Sequence, residues 1–265
     1  MTKPNLLIGA ISANYTPNDI SRWVATSDWD ECERILFVYN VTSQDNPLLI
    51  YLREHNVSVI QPSFDFWGND VSKFNYDTGI CNLETSYDLI HNIRFFHLWN
   101  YLEQHNYEKV LVTDVRDVYF NRNPFVDIPS DRLIATSEEI SYKNESWNQA
   151  HLHYNLGVIG LSTMLDHMVY NVGVFGGPGE LVKRIASDIY LLSTGKHKVA
   201  DQTSFNYLIQ NRYQEVTKFS TLSDKFAVHL QVVYSGLVNF NYKTAGEYAI
   251  VHQYDRIPNW DNLIV

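Results

Sequence analysis

The sequence predicts an α/β fold in which a mostly parallel central sheet is flanked by helices. Short apolar runs of strand length alternate with longer segments whose apolar residues recur at helical spacing. This alternation is typical of βαβ units, which build parallel sheets. The chain has 265 residues, enough to bury a large core, and its sequence contains no repeat or low-complexity linker. We therefore expect one domain over residues 1–265.

The strands are predicted from short apolar runs that polar residues or prolines bound. The predicted strands are Leu6–Ile11, Arg34–Tyr39, Val57–Ile60, Val110–Thr113 and Leu133–Thr136, with further strand-like runs between 227 and 251.

Three segments have the spacing of helices. The Asn-Pro pair at 46–47 supplies a cap and a first-turn proline for a helix that ends at Glu54. Apolar side chains recur at helical spacing over Asp88–Gln104. The clearest helix covers Pro178–Leu192, where six apolar residues form one stripe and Gly195 follows as a C-cap.

Composition and charge exclude several classes of function. The formal net charge of −10 argues against a general nucleic-acid binder and against docking on anionic lipid by charge alone. Cys32 and Cys81 are too few for a disulfide framework. The first residues do not form a secretory signal, and no apolar stretch has the length of a membrane span. We expect a cytoplasmic protein, or one peripheral at the membrane.

Two aspartates follow the fourth predicted strand directly. Asp114 and Asp117 would lie at the carboxyl end of a buried strand, where open α/β sheets bind ligands. Neighbouring carboxylates repel each other unless a cation lies between them, and hard divalent cations prefer carboxylate oxygens. The pair therefore indicates a metal site. The alternative is a strand that ends in a polar turn.

Further motifs along the chain form a pattern together with this pair. The motifs are Asn14-Tyr15, Arg94, Asp114 with Asp117, Asn171-Val172-Gly173, Asp201-Gln202 and His252 with Arg256. In this order they resemble the nucleotide-sugar glycosyltransferases of the GT-A fold, and more narrowly those of family 8. The resemblance implies a single GT-A-like domain with a Rossmann-like sheet.

The resemblance implies nucleotide-sugar contacts near the amino terminus and in the helix before the Asp strand. Asn14 and Tyr15 would hold the base, with the Tyr15 ring stacked on it. Arg94 would reach the nucleotide-sugar. By local chemistry alone, 14–17 is also consistent with a turn, and Arg94 with a residue paired to a structural carboxylate.

The resemblance implies that the acidic motif and a histidine near the tail bind the metal, as Mn²⁺ or Mg²⁺. The family form is Asp-x-Asp, whereas here the spacing is Asp-x-x-Asp. Asp117 matches the second position, which leaves open whether Asp114 contacts the metal directly. Arg116 is unusual in such a motif, and both carboxylate and phosphate are open as its partners. His252 would be a third ligand and Arg256 would contact the diphosphate.

The transferred sugar is assigned to two later motifs. Asn171 and Gly173 match the family strand on which the donor sugar lies, although a second copy stands at Asn155-Leu156-Gly157. Asp201 and Gln202 would lie beside the reacting sugar, where a carboxylate can orient hydroxyls or accept a proton. Asp201 also suits the start of a helix, and both roles are compatible.

These assignments predict a metal-dependent enzyme that moves a hexose, by default galactose or glucose, from a UDP-sugar to a hydroxyl of a glycan or glycolipid, as in polysaccharide biosynthesis. Residues 1–120 would mainly bind the nucleotide-sugar, and 121–265 would provide the acceptor side and the metal and diphosphate segment. Polar loops at Asp65–Ser86 and Ser137–His153 would shape the acceptor cleft. The family 8 resemblance favours retention of the anomeric configuration over inversion.

Other functions fit parts of the pattern. Two aspartates and a histidine also suit a metal-dependent phosphohydrolase or a nucleotidyltransferase acting on nucleotide-sugars. A non-catalytic sugar-binding module is a further alternative.

Overall fold

The computed structural model describes residues 4–62, 90–194, 196 and 199–263, together with the backbone of 74–75 and 80–81. The strands within these ranges are β1 (Asn5–Ser12), β2 (Cys32–Tyr39), β3 (Ser58–Ile60), β4 (Phe74–Asn75), β5 (Ile80–Cys81), β6 (Lys109–Thr113), β7 (Val118–Phe120), β8 (Leu133–Ser141), β9 (Met168–Pro178), β10 (Thr217–Ser220), β11 (Ala227–His229) and β12 (Ile250–His252). The α-helices are α1 (Pro17–Thr26), α2 (Pro47–Glu54), α3 (Ile90–Gln104), α4 (Ser146–Met164), α5 (Gly179–Ser193), α6 (Asp201–Asn211), α7 (Leu230–Tyr234) and α8 (Trp260–Leu263).

A central sheet runs through the described residues in the order β10-β8-β9-β6-β1-β2-β3. Strands β6, β1, β2 and β3 are mutually parallel, and β10 is parallel to β8. Only β9 runs against its neighbours β6 and β8 within this sheet. The predicted mostly parallel sheet is therefore confirmed.

Helices cover both faces of this sheet because alternate strand residues point to opposite sides. In β1, Leu6 and Ile8 belong to the apolar cluster that contains α3, α5 and α6 residues. Leu7 and Ile11 belong to the cluster that contains α1 and α2 residues. Burial on both faces explains why these strands are continuous apolar runs rather than alternating ones. The predicted α/β class is confirmed.

The helix predictions are confirmed where the structure describes them. Helix α2 ends at Glu54 as expected, and its start is capped by the Asn46 side chain, which accepts a hydrogen bond from the Leu48 amide at 2.8 Å. Helix α5 lies one residue later than predicted. Three predicted features lie outside the described residues: the start at Asp88 of the helix that ends at Gln104, the C-cap Gly195 of the helix Pro178–Leu192, and nearly all of the loop Asp65–Ser86.

The loop predicted over Ser137–His153 is wrong. Strand β8 continues to Ser141, and α4 begins at Ser146. The helix start is capped by the Glu145 carboxylate, which accepts from the amides of Trp147 and Asn148. Pattern analysis misses α4 because its apolar side chains do not form a one-sided stripe, and several of them are exposed.

A small second sheet, in the order β11-β12-β7, connects the tail to the middle of the chain. Strand β12 is antiparallel to β7 and parallel to β11. Its register places His252 opposite Val118 on one side and His229 on the other. Residues far apart in sequence therefore meet beside the end of β6. Among the described residues, no helix is both long and apolar enough to cross a bilayer.

Candidate active site

Asp114, Asp117 and His252 come together at the end of β6. Asp114 follows that strand, Asp117 precedes β7, and His252 ends β12. The Gln253 amide donates to the Asp117 carbonyl at 2.7 Å, which extends the pairing of β12 with β7. One ligand atom from each of the three side chains lies within 4.8 Å of the other two. The predicted trio is therefore one spatial cluster.

The contacts inside this cluster suit a cation. His252 Nε2 lies 3.4 Å from Asp114 Oδ2 and 3.7 Å from Asp117 Oδ1. It is buried and makes no hydrogen bond within the described chain. A buried nitrogen without a hydrogen bond is costly unless another ligand satisfies it. Two carboxylate oxygens and an imidazole nitrogen form a donor set that Mn²⁺ accepts.

A chain of hydrogen bonds fixes the ring protons of His252. The Thr136 hydroxyl donates to the Val174 carbonyl at 2.7 Å, so it accepts from His229 Nε2, at 2.9 Å. Neutral His229 then offers Nδ1 as an acceptor to His252 Nδ1–H, also at 2.9 Å. Burial and the neighbouring His252 lower the pKa of His229 well below its ordinary value, which keeps it neutral. The network therefore leaves His252 Nε2 facing the two carboxylates, as a metal ligand requires.

The electrostatics of the three groups are coupled. Burial raises the pKa of Asp114, but Arg94 and His252 outweigh burial and hold it below its ordinary value. Burial raises the pKa of Asp117, and His252 only partly opposes this. Burial lowers the pKa of His252, but Asp117 and Asp114 more than offset it, so the net pKa is raised. The pocket therefore favours positive charge between its carboxylates.

Arg94 joins two buried elements through its guanidinium. It donates to Asp114 Oδ1 at 2.7 Å and to Asp201 Oδ2 at 3.0 Å, and its side chain is 10% exposed. Arg94 is therefore paired with carboxylates of the protein itself, as one of the two interpretations of its sequence context expects. It also lines both cavities described below. Because each carboxylate neutralises part of its charge, the guanidinium is stable while buried.

Asn171 and Gly173 shape the strand that faces Asp114. The Asn171 side-chain oxygen accepts from the Gly173 amide at 2.7 Å. A Cβ atom on Gly173 would lie 2.4 Å from Asp114 Oδ2, so only glycine allows this approach. Asn155, the competing copy, is buried in α4, where its amide donates to the Val199 carbonyl at 3.0 Å. The geometry brings Asn171, and not Asn155, to the site.

Asp201 and Gln202 form the first turn of α6, as the sequence predicts. Asp201 is 2% exposed, and its Oδ1 accepts from the Gln202 amide at 2.8 Å. The preceding turn is held by Asn92, whose side-chain oxygen accepts from the Ala200 amide at 3.2 Å. Gln202 Nε2 donates to Asn148 Oδ1 at 2.9 Å. Both side chains line the same cavity.

Arg256, which is predicted to contact the diphosphate, and Arg116, for which carboxylate and phosphate are both open, share a carboxylate at the rim. Arg116 lies 3.0 Å and Arg256 3.5 Å from Asp255 Oδ2. Arg256 also approaches Asp117 Oδ2 at 3.8 Å, and both guanidinium groups are about two-fifths exposed. Exposed guanidinium groups beside a cleft are available to an anion.

Two cavities share part of their lining, which includes Asp114. The first, of about 180 Å³, is lined by the end of β1, Tyr15 and Arg116. The second, of about 470 Å³, is lined by Asn171, Gly173 and the α6 pair. The residues that line both are His91, Arg94, Asp114 and Arg256. Asn14 is exposed and lines neither cavity.

Sequence reasoning missed three site residues. Glu138 and Trp147 line the second cavity, and His229 positions His252. Each lies in a segment that the sequence pattern assigns to a loop or to an ordinary strand. His229 meets His252 because the two histidines end the adjacent strands β11 and β12, a pairing that no local sequence pattern specifies. No local signal distinguishes Glu138.

No protein-family profile matches the chain, and no curated protein matches its sequence. Solved structures do match. The apo structure of the WbbM bifunctional glycosyltransferase has a TM-score of 0.59 at 12% identity, over 99% of this chain and 49% of that one. Apo mouse xyloside xylosyltransferase 1 has a TM-score of 0.51 at 11% identity, over 95% of this chain and 97% of that one.

The chain has a GT-A-like, Rossmann-like fold. At these identities the likeness establishes the fold alone, and the narrower family 8 resemblance stays a prediction. The chain spans about half the length of the WbbM protein. Activity, donor and acceptor must therefore be argued from the site.

Proposed function

We propose that this protein is a metal-dependent glycosyltransferase that moves a hexose from a UDP-sugar to a hydroxyl of a glycan or glycolipid acceptor. The observation that carries the proposal is that two cavities share Asp114, which lies in one cluster with Asp117 and His252 that could hold a metal ion. A donor has a nucleotide part and a sugar part joined by a diphosphate, which matches two compartments with a cationic junction. The glycosyltransferase names of the two structural neighbours support this choice over others.

Asp114, Asp117 and His252 would hold the ion, as Mn²⁺ or Mg²⁺. When bound, such an ion offsets negative charge on a departing nucleoside diphosphate. The guanidinium groups of Arg94 and Arg256 add fixed positive charge at the same junction. Preorganised positive charge of this kind lowers the barrier because no group must reorient during bond cleavage.

The remaining predicted residues divide between the two cavities. Tyr15 offers a ring face for the base in the first cavity, and Arg116 lies where a phosphate would pass. Asp201 would accept hydrogen bonds from sugar hydroxyls in the second cavity, with Gln202 beside it. Because Asp201 is ion-paired with Arg94, it is better suited to orient a hydroxyl than to remove its proton. This role for Asp201 is compatible with the retaining outcome that the family 8 resemblance favours.

Three further expectations accompany this proposal. Galactose and glucose are the default transferred sugars, and the pathway would be polysaccharide or glycan synthesis. The division into a nucleotide-sugar part (1–120) and an acceptor and metal part (121–265) stays a prediction. The cytoplasmic or membrane-peripheral location rests on the sequence. The phosphohydrolase and nucleotidyltransferase alternatives would place the same kind of substrate in the two cavities, so the released product distinguishes them from a glycosyltransferase. The binding-module alternative leaves the cluster of Asp114, Asp117 and His252 without a role.

A donor screen tests the proposal. Purified protein is incubated with UDP-glucose, UDP-galactose, UDP-N-acetylglucosamine and GDP-mannose, with Mn²⁺ or with chelator, and released nucleotide is measured. We expect Mn²⁺-dependent release of UDP from one UDP-hexose, at a rate that an acceptor glycan increases. Asp117→Asn should lower this release at least about a hundredfold, since a carboxylate ligand is lost.

Asp166→Asn is the matched control, because Asp166 is an exposed carboxylate paired with Lys143. It should release nucleotide at the wild-type rate. Release of inorganic phosphate instead of nucleoside diphosphate would support the phosphohydrolase and overturn the proposal. Equal activity in chelator would overturn its metal dependence.

A further inference from the structure

Glu138 reaches the second cavity through a local distortion of its strand. Strand β8 shifts register against β9 between Ala135 and Ser137, and again before Ser141. Within this stretch Glu139 adopts a positive φ of 58°. Bulges beside active sites commonly redirect a side chain. The side chain of Glu138 is thereby buried in the wall of the cavity.

Two amide side chains are held with their NH₂ groups toward Glu138. Asn171 Nδ2 lies 2.6 Å and Gln202 Nε2 lies 3.4 Å from Glu138 Oε1. The amide oxygens are already occupied, because Asn171 accepts from the Gly173 amide and Gln202 accepts from the Val172 amide. Neither side chain can flip without losing a backbone hydrogen bond. The donors around Glu138 are therefore fixed.

The carboxyl group of Glu138 can form a further hydrogen bond through Oε2. Both amide donors reach Oε1, and within the described chain Oε2 has no hydrogen bond and no cationic partner within 4.0 Å. Burial raises the pKa of this carboxyl to about 7, although the Asn171 hydrogen bond lowers it. A buried carboxyl without a cation opposes folding, so stability does not explain its presence. Near neutral pH it can accept or donate a hydrogen bond.

We propose that Glu138 is a specificity residue whose Oε2 hydrogen-bonds a hydroxyl group of the transferred sugar. The inference rests on the proposed function, because it places the sugar beside Asn171 and Gln202. A sugar hydroxyl both donates and accepts, as this carboxyl can. An analogue without that hydroxyl would leave the buried carboxyl unpaired, and sites of this kind reject such analogues strongly.

Binding measurements with deoxy sugars test this role. Calorimetry in Mn²⁺ compares UDP, the preferred UDP-hexose and its monodeoxy analogues, in wild type and variants. We expect wild type to prefer the parent sugar over one analogue by at least about tenfold. Glu138→Ala should bring that ratio close to one while changing UDP affinity less than about twofold, because UDP lies in the other cavity. Glu138→Gln should retain part of the ratio.

Glu139→Gln is the control, since Glu139 is the next carboxyl along β8 and instead accepts from the Leu222 amide. It should behave as wild type. Three results would each overturn the role. The affinity ratio between parent sugar and analogue could be unchanged in Glu138→Ala, or wild type could bind every deoxy analogue as tightly as the parent sugar. The third result is that Glu138→Ala lowers the affinity for UDP and for all UDP-sugars equally. If Glu138→Ala does not fold, Glu138→Asp replaces it, and an unchanged ratio there overturns the role equally. Absence of any UDP binding to wild type would instead contradict the proposed function itself.

Discussion

Two carboxyl groups of the second cavity, Asp114 and Glu138, are in opposite electrostatic states. Asp114 accepts from a guanidinium at 2.7 Å, which holds its pKa below the ordinary value despite burial. Glu138 accepts only from neutral amides, and burial raises its pKa to about 7. The first is a permanent negative charge suited to cations. The second is an adaptable group suited to neutral hydroxyls. The partner, rather than the carboxyl itself, determines the chemistry.

The largest expected effect comes from removing the cation that holds Asp114 ionised. Arg94→Met leaves Asp114 and Asp201 without their shared partner, and breaking a buried pair in this way costs about 3–5 kcal/mol. Urea denaturation should show this drop in the free energy of unfolding. Arg132→Met, which breaks an exposed pair with Asp131, should cost less than about 1 kcal/mol. Equal losses in the two variants would contradict the buried network.

The next largest effect is expected in the pH dependence of the free energy of unfolding, to which the raised pKa of Glu138 contributes. Its pKa is about 7 in the folded chain against an ordinary 4.5, so between these values the folded state binds more protons. The free energy of unfolding therefore falls as pH rises through this window. Glu138→Gln has no carboxyl to ionise at this position. Between about pH 5 and pH 8, its free energy of unfolding should therefore rise by up to about 3 kcal/mol relative to that of wild type.

Urea denaturation at the two pH values measures the difference, with Glu139→Gln as the control for loss of one carboxyl. A Glu138→Gln curve parallel to that of wild type would show that Glu138 ionises normally. The contrast with Asp114 would then be lost.

A smaller change tests how closely Asp114 is confined. Gly173→Ala places a Cβ within 2.4 Å of Asp114 Oδ2, so the carboxylate must move. We expect Mn²⁺ affinity, measured by calorimetry, to fall at least about tenfold while the fold persists. Gly246→Ala is the control, because its Cβ would meet no atom within 4 Å. Wild-type affinity in Gly173→Ala would mean that Asp114 does not ligate the ion.

The smallest effect is expected from substitutions that contact neither Asp114 nor Glu138. Tyr15→Leu removes a ring face from the first cavity and should weaken UDP binding by about fivefold, corresponding to about 1 kcal/mol. Asn14→Ala should change UDP binding little, because Asn14 lines neither cavity. A larger effect at Asn14 than at Tyr15 would favour the sequence-based assignment of Asn14 to the base.

The sequence predicted the α/β fold and the pair of aspartates at the end of a strand because their signals are local. A buried strand that runs into aspartates is visible at Val110–Asp117, and the apolar stripe of α5 identifies that helix directly. The meeting of His252 with Asp117 depends on the pairing of β12 with β7, which no local pattern specifies. There the family resemblance supplied what periodicity could not.

Glu138, His229 and α4 could not be predicted, for different physical reasons. Glu138 faces the cavity because of a bulge, which depends on how β8 and β9 pair. His229 acts by fixing the ring protons of His252 through hydrogen bonds, and both of its partners, Thr136 and His252, are distant from it in sequence. Helix α4 begins with a glutamate cap and lacks a one-sided apolar stripe, so a 3.6-residue period is not visible in it.

The central claim is that Asp114, Asp117 and His252 hold one divalent cation at the junction of the two cavities. Electron paramagnetic resonance measures it directly, because protein-bound Mn²⁺ loses the signal of the free ion. With UDP present, wild type should bind one Mn²⁺ per chain, and Asp117→Asn and His252→Ala should each weaken binding at least about a hundredfold. Unchanged Mn²⁺ binding in both variants, or no binding to wild type, would contradict the account.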